Sequence, residues 1–207
     1  MKTTRYIMTI ALPLLIFLLI TEKVINGDIQ WFDNFAYSIV ARIISEKLTP
    51  VMVFITFLAS TKFLIVISVL LIIGIFIKRN YSFYSALIVL NISLSSLINL
   101  GLKSLINRTR PDILKLVEVT GLSFPSGHSM ASMSFYGLLI YLCGKYYNGK
   151  YKKTLIGLLC IIILLVGFSR VYLGVHYISD VLGGFSFGLL WIGVITVIID
   201  KYKVKYV

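Results

Sequence analysis

Apolar residues gather in six long runs separated by short polar segments: Tyr6 to Lys23, Met52 to Ile77, Tyr84 to Leu102, Ser129 to Tyr146, Thr154 to Phe168 and Ile178 to Ile199. A helix of about 20 predominantly apolar residues crosses roughly 30 Å of hydrocarbon. In lipid, a helix satisfies its own backbone hydrogen bonds. The pattern therefore predicts an all-α, polytopic membrane protein, a six-transmembrane-helix bundle. The stretch from Val51 to Ile77 is too long for a simple crossing, and its outer part is expected to lie along the interface. The run from Thr154 to Phe168 is short and is expected to tilt less or to begin earlier. Lys2 and Arg5 ahead of the first run resemble a signal peptide, but no small-x-small cleavage site precedes Thr21-Glu22-Lys23-Val24, so this run is read as a retained span. Asn91, Ser93, Ser95, Ser96 and Asn99 predict interhelical hydrogen bonds, and Gly184-x3-Gly188 predicts a close helix contact.

Composition sharpens this picture. The chain is 58% hydrophobic and 14% charged, against about 45–50% and about 25% for a soluble domain. Six spans use most of its 207 residues, which predicts a single integral-membrane domain over 1–207. The net charge of +12 follows from cytoplasmic loop bias and attraction to anionic headgroups, with no need for a nucleic acid partner. A cytoplasmic N-terminus puts Lys2, Arg5, Lys78, Arg79, Lys145, Lys150, Lys152, Lys153, Lys201, Lys203 and Lys205 inside. The excess of basic residues on that side predicts both termini in the cytoplasm of a multi-pass cell-membrane protein, with the connections carrying His128 and His176 outside. Cys143 and Cys160 fall in predicted spans and read as small packing residues. Lys62 is expected to snorkel to the headgroups.

Candidate chemistry is confined to three polar clusters within 103–180. In Lys103-Ser-Leu-Ile-Asn-Arg-Thr-Arg110-Pro111 the two outer cations are seven residues apart, close to two helical turns. They would share a face if the helix continues as far as Pro111. In Ser123-Phe124-Pro125-Ser126-Gly127-His128-Ser129, a proline at the first helical turn, followed by small residues, would leave backbone N–H groups free to bind an anion. In Ser169-Arg170-x3-Gly174-x-His176-x3-Asp180 the histidine and aspartate lie four apart, so on a helix the carboxylate can hold one imidazole nitrogen and present the other as a nucleophile. Arg170 adds a planar cationic fork. Three cations, an anion-binding helix end and two histidines suit phosphoryl transfer. The eight Asp and Glu residues form no cage of the kind Mg²⁺ or Ca²⁺ takes, so no metal and no cofactor are expected.

Lys103-x6-Arg110-Pro111, Pro125-Ser126-Gly127-His128 and Ser169-Arg170-x5-His176-x3-Asp180 resemble, in order and spacing, the three motifs of the type 2 phosphatidic acid phosphatase superfamily, which includes the vanadium haloperoxidases. The resemblance covers roughly Leu102 to Gly188 at motif level. It implies that His176 attacks phosphorus to give a phosphohistidine, that Asp180 fixes its tautomer, and that His128 protonates the leaving oxygen and then activates water. It further implies that Lys103, Arg110, Ser126, Gly127 through its N–H, and Arg170 hold the phosphoryl oxygens. Vanadate is expected to inhibit rather than to serve as cofactor. The roles of Tyr172 and Asp112 stay open.

With only short connections, the site is expected to open at the membrane surface to a lipid phosphate or diphosphate. Compact members of the family dephosphorylate undecaprenyl diphosphate or phosphatidylglycerophosphate, and the first ranks slightly ahead, with phosphatidate a further alternative. A non-catalytic transporter of anionic lipids is the rival class, but it has no need of a histidine held by a carboxylate. Asn107-Arg108-Thr109 matches a glycosylation sequon, but a glycan between Lys103 and Arg110 would obstruct the site.

Overall fold

The computed structural model describes residues 6–77 and 82–203. A π-helical turn, Ile7–Ala11, leads into α1 (Leu12–Asn26), followed by α2 (Gln30–Ala41), α3 (Leu48–Phe57), α4 (Thr61–Ile77), α5 (Ser82–Ile106), α6 (Gly127–Tyr146), α7 (Lys152–Tyr172) and α8 (Ile178–Lys203). The molecule is an all-α membrane bundle. Pro13 cannot donate a hydrogen bond to the carbonyl of Thr9, which accounts for the wider turn before α1. At that turn α8 comes close: a Cβ on Gly193 would lie 2.3 Å from the Thr9 carbonyl oxygen.

Among the described residues, four helices are long and apolar enough to span, namely Ile7–Asn26, α5, α7 and α8; α3 and α4, bent by 51°, would together make a fifth. Helix α6, with 20 residues, is also long enough to span but more polar than these. Its serines explain why. Ser129, Ser132 and Ser134 are buried, as are Met130, Phe135 and Leu138, because α6 packs chiefly against α8 and α7. A helix enclosed by protein can carry hydroxyls that a lipid-facing helix cannot.

Close approach of α6 and α8 depends on two glycines. A Cβ on Gly184 would sit 2.7 Å from the Ser126 carbonyl oxygen, and one on Gly188 would sit 2.7 Å from the Cβ of Met133. The polar stripe of α5 faces α6: Asn91 donates to the Ser134 carbonyl at 2.9 Å, Ser95 and Ser134 share a 3.1 Å hydroxyl contact, and Asn99 donates to the Pro125 carbonyl at 3.2 Å.

Several sequence expectations change. The long second run breaks at residues 58–60 rather than simply lying down, and the Tyr136 hydroxyl donates to the Leu58 carbonyl at the break. Lys62 is exposed in the first turn of α4. The fifth span is longer at both ends than its apolar run. Helix α2 was not predicted, because 12 residues with mixed polarity give no spanning signal. It is amphipathic: Trp31, Phe35 and Ile39 are 71%, 59% and 51% exposed on one side, while Asp33 on the other is 1% exposed. Of the basic residues expected on the cytoplasmic side, Lys2, Arg5, Lys78, Arg79 and Lys205 lie outside the described residues.

Candidate active site

The C-terminal ends of α5 and α7 and the N-terminal ends of α6 and α8 meet at one end of the bundle, and the motif residues come with them. Three backbone bonds tie the connecting segments together: Ser126 N–H to the Asp180 carbonyl at 3.0 Å, Ser123 N–H to the Arg108 carbonyl at 2.8 Å, and Leu116 N–H to the Leu173 carbonyl at 3.1 Å.

Helix α5 stops at Ile106, and Asn107 turns the chain with a φ of 52°. Lys103 and Arg110 therefore do not share a helix face, contrary to the two-turn expectation. They converge because separate carbonyls hold them. The Lys103 ammonium donates to the Leu122 and Ser123 carbonyls at 2.5 and 2.8 Å. Arg110 donates to the carbonyls of Gly121, Thr120 and Val175 at 2.9, 3.1 and 2.7 Å.

The entry to α6 also differs from expectation. Ser126 is the N-cap, so Pro125 lies before the helix rather than in its first turn, and the Phe124–Pro125 peptide is cis. The Ser126 oxygen accepts from the Ser129 N–H at 3.4 Å and the Ser129 hydroxyl at 2.9 Å. The Ser126 proton is left for another acceptor. Gly127 and His128 open the helix. A Cβ on Gly127 would lie 3.0 Å from the Asn99 amide oxygen, so this backbone lies close to its neighbour. His128 is within electrostatic reach of His176, Arg170, Arg110 and Lys103.

His176 lies in the turn before α8 and not on the helix itself. It still meets Asp180: Nδ1 is 3.2 Å from Asp180 Oδ2 and 3.3 Å from the Ser123 hydroxyl, while Nε2 is 3.2 Å from Arg110 Nη1. A guanidinium can only donate, so Nε2 is the acceptor and the ring proton belongs on Nδ1, facing Asp180. Burial lowers the His176 pKa, and pairing with Asp180 opposes that shift; the ring is neutral at pH 7. Gly174, with a φ of 69°, makes this turn possible, since a Cβ there would lie 2.1 Å from the Leu114 carbonyl oxygen.

Arg170, in the last turn of α7, is 3% exposed and donates through Nη1 to the Thr56 hydroxyl at 2.7 Å. Its Nε is buried with no hydrogen-bond partner among the described residues. A donor left in that condition is suited to an incoming anionic oxygen. Tyr172 is fully buried, and its hydroxyl accepts from Ser45 N–H at 3.0 Å and contacts the Thr49 hydroxyl at 3.2 Å. It ties the α2–α3 connection to α7. Asp112 is exposed.

Two residues that sequence reading passed over are built into the same cluster. Arg108, which the sequence marks only as the middle of the Asn107-Arg108-Thr109 sequon, donates to Asp180 Oδ1, the Ser179 hydroxyl and Asp33 Oδ2, each at 2.7 Å. Asp33 also accepts from the Ser179 N–H at 2.9 Å and its hydroxyl at 2.7 Å. It thereby caps α8 from a different helix. The signal available for Arg108 was its place between Lys103 and Arg110; nothing near Asp33 in the sequence marked it.

Residues 84–203 match the PAP2 superfamily. Phosphatidylglycerophosphatase B of Bacillus subtilis is 38% identical over 178 residues, covering 85% of this chain and 87% of that protein. The crystal structure of a transmembrane PAP2 type phosphatidylglycerolphosphate phosphatase from Bacillus subtilis is similar with a TM-score of 0.86 and 35% identity, covering 92% of this chain and 96% of that one. Aquifex aeolicus LpxE shares the fold, with a TM-score of 0.63 and 22% identity over 78% of this chain and 92% of its own.

Proposed function

The chain belongs to the PAP2 superfamily and is a membrane hydrolase of lipid phosphate esters, and from that premise we propose that it removes the terminal phosphate of phosphatidylglycerophosphate at the outer membrane face. This revises the sequence ranking, which put undecaprenyl diphosphate first. A relative of 38% identity bearing the name phosphatidylglycerophosphatase B favours the phosphomonoester, and the isoprenoid diphosphate becomes the second reading. The outward orientation rests on the distribution of basic residues.

The observation that carries the mechanism is the two-sided hold on His176, with Nδ1 at Asp180 and Nε2 at Arg110, each at 3.2 Å. As a phosphate arrives, Arg110 turns its Nη1 from the ring to a phosphoryl oxygen and uncovers the Nε2 lone pair. Nε2 attacks phosphorus, the bond from phosphorus to the lipid oxygen breaks, and His128 delivers a proton to that oxygen. In the second step His128 takes a proton from water, the hydroxide displaces the imidazole, and phosphate leaves with His176 restored. Charge on the phosphoryl oxygens is balanced by Lys103, Arg110 and Arg170 and by the N–H groups of Gly127 and His128 at the start of α6. Those cations and amides supply the charge stabilisation that a metal supplies elsewhere, so activity is expected to persist in chelator.

The test is phosphate release by the purified protein, with chelator present, from phosphatidylglycerophosphate, undecaprenyl diphosphate, phosphatidate and a soluble phosphate ester. Phosphatidylglycerophosphate is expected to turn over fastest. His176→Ala should abolish release while the protein stays folded. Faster turnover of the diphosphate would overturn the substrate assignment, equal turnover of the soluble ester the lipid preference, and retained activity in the variant the nucleophile.

A further inference from the structure

The mechanism above makes no use of Asp33 or Arg108, although both lie in the buried centre of the site. The Arg108 side chain is 11% exposed, and the side chains of Asp33 and Asp180 are 0% exposed. A largely buried guanidinium between two buried carboxylates gives the trio a formal charge of −1. The arrangement is closed on both sides: Asp180 Oδ1 takes Arg108, while Oδ2 takes the Ser123 hydroxyl, the Tyr177 N–H and His176 Nδ1. The Arg108 guanidinium also stacks on the Tyr177 ring, 4.1 Å from its centroid.

We propose that Asp33 and Arg108 are positioning residues for hydrolysis, with Arg108 fixing the Asp180 carboxylate against His176 and Asp33 offsetting the charge of Arg108 so that one net negative charge still faces the imidazole. The inference rests on the phosphohistidine reading above. When Nε2 bonds to phosphorus the ring becomes cationic, and a carboxylate fully neutralised by arginine would stabilise that cation poorly. Asp33 restores the imbalance from α2, 75 residues before Arg108 in sequence. Beyond the trio, the charged groups that act on the ring are Arg110 and Arg170, and the His128 imidazole is also within reach. All of these are basic or neutral, so among the described residues it is the residual negative charge of the trio that favours an imidazolium.

Asp33→Asn keeps the shape and removes the charge. Its kcat is expected to fall about 10- to 100-fold with KM changed less than about threefold, the size of one lost charge-assisted contact. Arg108→Gln leaves two uncompensated carboxylates and should lose more. The double variant Asp33→Asn/Arg108→Gln returns the site to a charge of −1 and should recover at least about tenfold over Arg108→Gln alone, which a purely structural role would not produce. Asp33→Glu, which keeps the charge, should retain more activity than Asp33→Asn.

A second readout needs no turnover: the downfield proton resonance of the His176 Nδ1–H held by Asp180. It should move upfield in Asp33→Asn, shift in Arg108→Gln, and return toward its wild-type position in the double variant. Wild-type kcat in Asp33→Asn, or a double variant no better than Arg108→Gln, would overturn the proposal, as would an unmoved resonance. If the wild type releases no phosphate from any lipid but the resonance responds, the substrate reading falls and the positioning role stands.

Discussion

At the scale of single residues, proton placement controls the chemistry. His176 is held neutral by burial, with Asp180 pulling the other way, and only the neutral ring has a lone pair to attack with. Protonation below its lowered pKa removes that lone pair, so the acidic limb of kcat/KM should lie below the ordinary imidazole value of about 6.5. A limb attributable to His176 at or above that pH would contradict the assignment. Arg170 gives a second check. Thr56→Val preserves volume but deletes the acceptor for Arg170 Nη1; kcat/KM should drop about tenfold, since a buried charged donor without its partner costs about 1–3 kcal/mol. His128, His176 and Asp180 could be read from the sequence because their neighbours are locally distinctive. Arg108 and Asp33 could not, since their value comes from a contact across 75 residues that leaves no periodicity behind.

At the scale of elements, hydrophobic runs located every long helix but misjudged what each helix does. The polarity of α6 shows burial among other helices, and the mixed composition of α2 shows a helix with one apolar exposed side. The expectation that Lys103 and Arg110 share a helix face failed at Asn107, whose positive φ ends α5 before Arg110 can be helical. The close pair Gly184 and Gly188, by contrast, was legible, because small residues four apart in a span have few other uses. Gly184→Ala drives a methyl group toward the Ser126 carbonyl oxygen. It should lower stability in detergent by about 1–3 kcal/mol, measured by thermal unfolding, and should reduce activity by displacing the start of α6. Unchanged stability and activity would mean that α6 and α8 can separate freely.

At the scale of the whole molecule, four helix ends form the site and the opposite end carries a Lys145–Asp200 pair with Tyr141. The proposed orientation puts that pair on the cytoplasmic side. In a Cys143→Ala/Cys160→Ala background, Asn148→Cys should react with an impermeant maleimide only in inverted vesicles, and Asp28→Cys only in right-side-out ones; the reverse pattern would invert the topology. The stretch that matches the family, residues 84–203, holds all three motifs. The partners of Arg108, Arg170 and Tyr172 do not all lie there: Asp33, Thr56, Ser45 and Thr49 come from the first third of the chain. A fragment trimmed to its recognisable signature would therefore keep every diagnostic letter and lose its scaffolding, so domain grafts and minimal versions of this enzyme should be cut ahead of α1 rather than at the edge of the matched region.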